Sequence, residues 1–342
     1  MPTSSTAPRV PRGLRLLATV AVGAGVAFAP HMASHPYLQL AELDAPFIRP
    51  APWREQHPWQ LVEGRHWQIV STVTEDPVVT DSAEGTTKSC PPGMVEVQGR
   101  MKVDGQDDFE SIDFLQKSTC VDWIRRDFPE RCARFDRDKW LAVSGGLADE
   151  PLHFCIDRFE YPNRRGAYPW VMVSWYEARD LCLRTGKRLC SEDEWTFACE
   201  GEEASPYPYG YVRDPDACVV DRAWREVDAS AFALRDGSRA MHELDFLWQG
   251  EASGTRPRCR SAFGVYDMTG NVDEWTSSVR PGERPSIFKG GYWGPIRGRC
   301  RPSTRVHDQD FAFYQQGFRC CADPPPFSDS SGAATPGEPP LP

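Results

Sequence analysis

The sequence predicts an α+β domain of compact, irregular build with little regular secondary structure. Two helix starts with reciprocal capping signals and two short alternating runs point that way, as does a heavy load of turn-forming residues. The 342 residues include 31 Pro and 27 Gly, which favour loops over long elements. With 40% hydrophobic residues, 12 Trp and 17 Phe, the chain has material for one large domain with appendages.

Arg9, Arg12 and Arg15 precede an apolar run from Leu16 to Ala29. A positive segment before 14 such residues reads as a secretory signal, and the run is short for a membrane span. Pro30 spoils the nearest cleavage site, so residues 1–34 are expected to be either a signal peptide or an uncleaved signal anchor. Nothing after residue 34 is apolar enough to cross a bilayer. Residues 35–88 carry Pro36, Pro46, Pro50, Pro52 and Pro58 and read as an extended arm or linker. Trp53, Trp59 and Trp67 are expected to pack part of it against the body.

The domain proper is placed at 89–323. Gly93 to Val97 alternate as a short strand does. Residues 105–150 are polar and hold Cys120 and Cys132, which suggests an insertion tied by a disulfide. His153 to Tyr161 form a second strand, turning at Pro162 and Asn163. Ser174 and Glu177 make a capping box, followed by Ala178, Leu181 and Cys182 on one face and Gly186 as a stop. Ser191 and Glu194 repeat the device before Trp195, Phe197, Ala198 and Cys199. Beyond Cys199 the chain is mostly Gly, Pro, Asp and aromatic residues, so few regular elements are expected. Residues 324–342, rich in Pro and Ser, read as a disordered tail.

A net charge of -10 excludes nucleic acid as a partner, since phosphate binding needs clustered Lys and Arg. The 12 cysteines are even in number and include no CxxC pair. Scattered cysteines after a signal are expected to form disulfides rather than a zinc site. The chain is therefore expected to be exported, to the periplasm or beyond, and to meet a membrane only if its N-terminal segment is uncleaved. No phosphate loop, nucleophile elbow or metalloprotease helix is present in the sequence.

Seven segments, in order, carry a resemblance. They are Val173-Ser174-Trp175-Tyr176-Glu177-Ala178, Gly186-Lys187-Arg188-Leu189, Ser191-Glu192-Asp193-Glu194-Trp195 and Tyr207-Pro208-Tyr209-Gly210. Then follow Gly264 through Trp275 (GVYDMTGNVDEW), Lys289-Gly290-Gly291 and Gly317-Phe318-Arg319-Cys320. Together they resemble the formylglycine-generating enzyme (sulfatase-modifying factor) family over about residues 92–323. The resemblance implies a fold like that of C-type lectin domains. The family includes copper oxidases that convert a sulfatase cysteine to formylglycine, iron-dependent sulfoxide synthases, pyoverdine-maturation proteins and domains without known catalysis. Fold membership alone does not fix the chemistry.

The copper oxidases use two cysteines after Gly-Gly, because paired thiolates select Cu(I). Counted from Gly290-Gly291, the second falls on Cys300 and the first on Pro295, which cannot ligate a metal. Tyr292 replaces the serine that usually follows the glycines. Neither copper nor iron is therefore expected. If the chain is catalytic, Cys300, Trp275, Tyr292 and Arg301 are its candidate residues. The resemblance also implies that Cys182 pairs with Cys320, and that Cys199 seeks a partner at a position here held by Arg305. Cys199 reaching Cys300 is one solution. A free Cys300 is the other, activated by Arg297, Arg299 and Arg301, which would otherwise bind an anion or form salt bridges. Calcium is expected at Gly270, Asn271, Val272 and Glu274: Asn271, Asp273 and Glu274 lie in a Gly-flanked loop that could gather oxygen donors, and the resemblance implies a site formed by the Glu274 position and backbone carbonyls near Gly270 and Val272. His307 and Asp308 read as a loop pair rather than part of an iron site.

Trp275, Tyr292, Trp293, Phe313 and Tyr314 either line a ligand groove or fill a core. Two functions of different class fit these residues. An exported oxidoreductase or maturation factor, acting on a peptide or small molecule, requires a free Cys300 and an open groove. A non-catalytic peptide- or glycan-binding module requires neither.

Overall fold

The computed structural model describes residues 57–70, 90–104, 111–278, 280 and 282–324. The expected signal segment, Trp53 with most of the arm, and residues 325–342 of the expected tail lie outside them. Every described residue belongs to the unit Ala45–Pro342, and the other unit, Met1–Asp44, lies outside. No helix among the described residues is long and apolar enough to cross a membrane.

The described part of the arm is a hairpin rather than an extended linker. Trp59–Val62 (β1) and His66–Ile69 (β2) pair antiparallel, around a turn in which Glu63 and Gly64 take φ of 52° and 67°. Gly64 meets that left-handed backbone without a steric cost and closes the turn. Trp67 then exchanges two backbone hydrogen bonds with Val171, at 3.2 and 2.9 Å. The hairpin lies as a strap along the body, a feature that proline count alone obscured.

Met94–Lys102 (β3) runs on past the expected end at Val97. Val95, Val97 and Met101 fall on one face and are buried together, as a period of two requires. Residues 111–150 of the expected insertion carry regular elements. Ile112–Ser118 (α1) is capped by Ser111, and Arg137–Ser144 (α2) by Asp136. Between them Cys120–Arg125 (β4) and Arg131–Phe135 (β5) form a hairpin. A Cys120–Cys132 disulfide crosses it. Arg299 fastens the insertion to the body through Asp113 at 2.6 Å and Gln116 at 2.9 Å.

Asp149–Asp157 (β6) pairs with β3 over its whole length. Both capping boxes form. Ser174 opens Trp175–Arg184 (α3), its hydroxyl accepting from the Glu177 amide at 3.3 Å while its own amide donates to the Glu177 carboxylate at 2.9 Å. Such a cap contributes about 1 kcal/mol. After Arg188–Leu189 (β7), Ser191 and Glu194 cap Glu192–Glu200 (α4) in the same way. Ser238–Leu247 (α5) is a helix the sequence reading missed, burying Ala240, Leu244 and Leu247 at spacings of four and three. The remaining strands are Asp273–Ser277 (β8), Ser286–Lys289 (β9), Gln316–Phe318 (β10) and Cys320–Ala322 (β11).

Two sheets organise the body, one in the order β3-β6-β11-β7 and the other β10-β8-β9. Two apolar clusters take alternate residues of the first. Cys190 and Cys321 join Phe154, Trp195 and Phe197 in one, whereas Leu189 and Cys320 join Trp175, Leu181 and Phe318 in the other. All twelve cysteines are paired: Cys90–Cys155, Cys120–Cys132, Cys182–Cys320, Cys190–Cys321, Cys199–Cys300 and Cys218–Cys259. The α+β class stands: short elements, long loops, and covalent staples where regular structure is sparse.

Candidate functional site

The Gly290-Gly291 turn sets the geometry around the positions singled out for catalysis. Both glycines have positive φ, 82° and 76°. A Cβ on Gly291 would meet Ile296 at 2.0 Å, and one on Gly290 would meet the Met268 carbonyl oxygen at 2.9 Å. Only glycine fits there. The turn drives Tyr292 inward, where it is buried against Trp293 and Tyr314. Burial, with the nearby Asp273 charge, pushes its phenol pKa up, so Tyr292 holds its proton.

The other three candidates are also committed. Trp275 is fully buried, donates to the Val173 carbonyl at 2.7 Å and stacks on Phe288 at 3.6 Å. Arg301 grips both oxygens of Glu200, at 2.6 and 2.8 Å. Cys300 is bonded to Cys199. Of the two readings the sequence left open, the structure adopts the half-cystine, and a free Cys300 nucleophile is corrected accordingly. The arginines around it also have other occupations: Arg299 pairs with Asp113, and Arg297 sits over the Phe128 ring at 5.2 Å. His307 stacks on Phe311 at 4.0 Å while Asp308 pairs with Arg284, so the two do not form a ligand set.

The side chains expected at the calcium position have protein partners in this structure. Glu274 Oε1 accepts from Arg319 Nη2 at 2.6 Å, and Oε2 accepts from Arg319 Nε at 2.6 Å and Trp195 Nε1 at 2.8 Å. Asn271 Oδ1 accepts the Glu251 amide at 2.9 Å, and Asn271 Nδ2 donates to Glu160 at 2.7 Å. The Val272 amide points to the same Glu160 at 3.4 Å. Gly270, at φ 80°, serves close packing: a Cβ would stand 2.3 Å from the Val219 carbonyl oxygen. A guanidinium thus supplies positive charge at Glu274. No group of three or more His, Cys, Asp or Glu suited to a metal occurs among the described residues.

Glu160, Asp267 and Asp273 are buried beside this pair. Burial first, then neighbouring carboxylates, pushes Glu160 well up. Burial likewise pushes Asp267 up to about 7 and Asp273 up to about 8. Sequence reading missed this cluster, because Arg319 and Glu274 are 45 positions apart and nothing local marks them as partners.

Aromatic residues form a continuous feature beside the cluster. A small cleft is lined by Trp224, Arg225, Gln249, Tyr292, Trp293 and Tyr314 among others, with room for about one water. Its wall continues from Trp293 to Trp248 (ring centroids 4.8 Å apart) and from Trp248 to Trp59 of the strap (5.5 Å). Beside Trp59, the buried Asp245 accepts hydrogen bonds from His57 and Trp59. Of the residues around which a catalytic reading required an open groove, Trp275 and Cys300 are fully buried, and Tyr292 lines the small cleft.

Comparison with known proteins follows the same lines. Residues 148–324 match the sulfatase-modifying factor enzyme 1-like domain. The inactive C-alpha-formylglycine-generating enzyme 2 of Bos taurus is 31% identical over 164 residues, covering 45% of this chain and 50% of its own. The formylglycine-generating enzyme of Mycobacterium tuberculosis is 30% identical over 188 residues, covering 47% and 59%. The chain thus spans about half the length of the curated relatives it matches. Among solved structures, PvdO of Pseudomonas aeruginosa is similar at 18% identity and a TM-score of 0.41, over 67% of this chain and 94% of that one.

Proposed function

We propose, from the premise that this chain belongs to the sulfatase-modifying factor enzyme family, that it is an exported, non-catalytic member which keeps the fold as a binding module for peptides. The observation that carries this reading is the Cys199–Cys300 disulfide, together with Pro295 at the other ligand position. A soft metal site needs thiolates, and here one candidate sulfur is oxidised while the other is missing. Trp275 is packed as core, and Tyr292 meets only a cleft with room for about one water. The inactive bovine relative lends support. Six disulfides support an oxidising compartment, where such bonds persist.

The test is a thiol count on denatured, unreduced protein, followed by a Cu(I) titration of the native form. No alkylated cysteine and no bound copper are expected. Alkylation of Cys300, with one equivalent of Cu(I) taken up, would return the chain to the oxidases.

A further inference from the structure

The strap is held differently from everything else in the fold. All six disulfides lie between Cys90 and Cys321, so the body is stapled throughout. Residues 57–70 contain no cysteine, and hydrogen bonds, ion pairs such as Glu63–Arg184, ring contacts and the burial of His66, Trp67 and Ile69 hold them down without a covalent tie.

Those contacts have the form of a peptide lying in a groove. A single oxygen of the buried Asp245, Oδ1, accepts the His57 amide at 3.0 Å and the Trp59 indole at 3.1 Å, and lies 2.7 Å from His57 Nδ1. Trp59 stands edge-on to Trp248. Further along, the Trp67 backbone adds to the Val171 backbone, and its indole donates to the Arg235 carbonyl at 2.8 Å. Main-chain pairing combined with aromatic anchors is how extended peptides are recognised in trans.

The fit of the strap is incomplete. Trp248 Nε1, Trp170 Nε1 and His66 Nδ1 are buried with no hydrogen-bond partner among the described residues. Trp248 meets Trp59, and His66 stacks on Trp170, so all three atoms belong to rings at the junction of strap and body. The Trp248 and Trp170 indoles belong to the body, so a ligand that supplied a carbonyl to either would add a hydrogen bond that the strap does not make.

We infer that residues 57–70 are a displaceable internal occupant of a peptide groove formed by Asp245, Trp248 and Val171. Its partner in trans is an extended peptide that carries an indole in the place of Trp59. This inference rests on the binding-module reading and adds the class of ligand to it. The tethered strap competes at high effective concentration, so the intact chain is largely self-blocked.

The experiment uses the full chain and a fluorescein-labelled synthetic peptide copying residues 55–70, followed by anisotropy. Full-chain H57A/W59A, whose strap is weakened, is expected to bind the probe at least tenfold more tightly than the unaltered chain. A probe carrying Trp59→Ala is expected to lose that gain. Failure of the variant to bind any better, with its near-ultraviolet circular dichroism unchanged, overturns the inference. If that variant misfolds, hydrogen exchange on the unaltered chain decides: the Trp67 amide should exchange at least tenfold faster than that of Val95 in β3, and equal protection overturns it. The thiol count is independent of both, so a paired Cys300 with no strap exchange sinks only this inference, and an alkylated Cys300 sinks only the non-catalytic reading.

Discussion

Replacing Arg319 by methionine lowers the stability of the folded chain by about 3–5 kcal/mol, the usual cost of removing one partner from a buried ion pair. Arg319 and Glu274 are both wholly enclosed. The guanidinium also donates to the Tyr266 carbonyl at 2.9 Å and approaches the Asp157 carbonyl at 3.3 Å. Without it Glu274 faces Glu160 and Asp267 with no counter-charge. Urea unfolding with disulfides intact measures the loss, and a value under 1 kcal/mol would refute the assignment. R319M/E274Q should recover part of the deficit, because both charges then leave together. Added calcium or a chelator should leave the melting temperature of the unaltered chain unmoved. A calcium-dependent rise would mean that the ion, not Arg319, governs Glu274.

Stability should also fall as pH rises from about 4 to about 8, the reverse of many proteins. Asp273 is pushed from its usual value near 3.8 up to about 8, chiefly by burial and secondarily by Glu274. Asp267 and Glu160 are displaced in the same direction. A carboxyl with a raised folded pKa binds its proton more tightly in the native chain than in the unfolded one. Its stabilisation is complete below the unfolded pKa and is lost as pH climbs through the folded one. Two neighbours bound this window. Glu177 is buried, which alone would raise it, but Arg235 and the Ser174 amide hold it down to about 2, so its contribution is lost as pH falls from about 4 towards 2. Lys289 is lowered from 10.5 to about 8 by burial, so the fold regains stability as pH rises beyond 8. A maximum near pH 4–5 and a minimum near pH 8 are expected in urea midpoints. Asp273→Asn keeps the hydrogen bond from the Gly291 amide and should flatten the decline. A midpoint that rises from pH 5 to pH 8 would contradict the buried neutral carboxyls.

The parts of the fold legible in the sequence are those written in local chemistry. Ser174 with Glu177, and Ser191 with Glu194, announce helix starts through residues three apart, and both helices begin there. The alternation from Gly93 announces a strand, though not its length, because Gln98, Gly99 and Arg100 blur the period. Missed elements depend on distant partners. β1 and β2 sit among prolines and are held by Val171 and Asp245, and α5 lacks a side-chain cap to mark its start. The site followed the same rule. Pro295 and Tyr292 marked at once where the sequence departs from the family's motif. The partner of Glu274 could not be read, because a carboxylate in a Gly-flanked loop looks the same whether calcium or a guanidinium awaits it.

Cys320 and Cys321 are neighbours that bond to different partners, Cys182 and Cys190, in the two apolar clusters on either side of the central sheet. A strand sends adjacent side chains to opposite faces, so these two residues act as a rivet through the sheet. The rivet comes at the end of the chain. During synthesis from the N-terminus, α3 and α4 are complete long before residue 320 exists, and Cys182 and Cys190 must wait as thiols while other cysteines are already available to trap them. Oxidative maturation of this protein is therefore a problem of timing. A chain that stops before residue 320 leaves Cys182 and Cys190 without their partners, whereas two consecutive residues supply both.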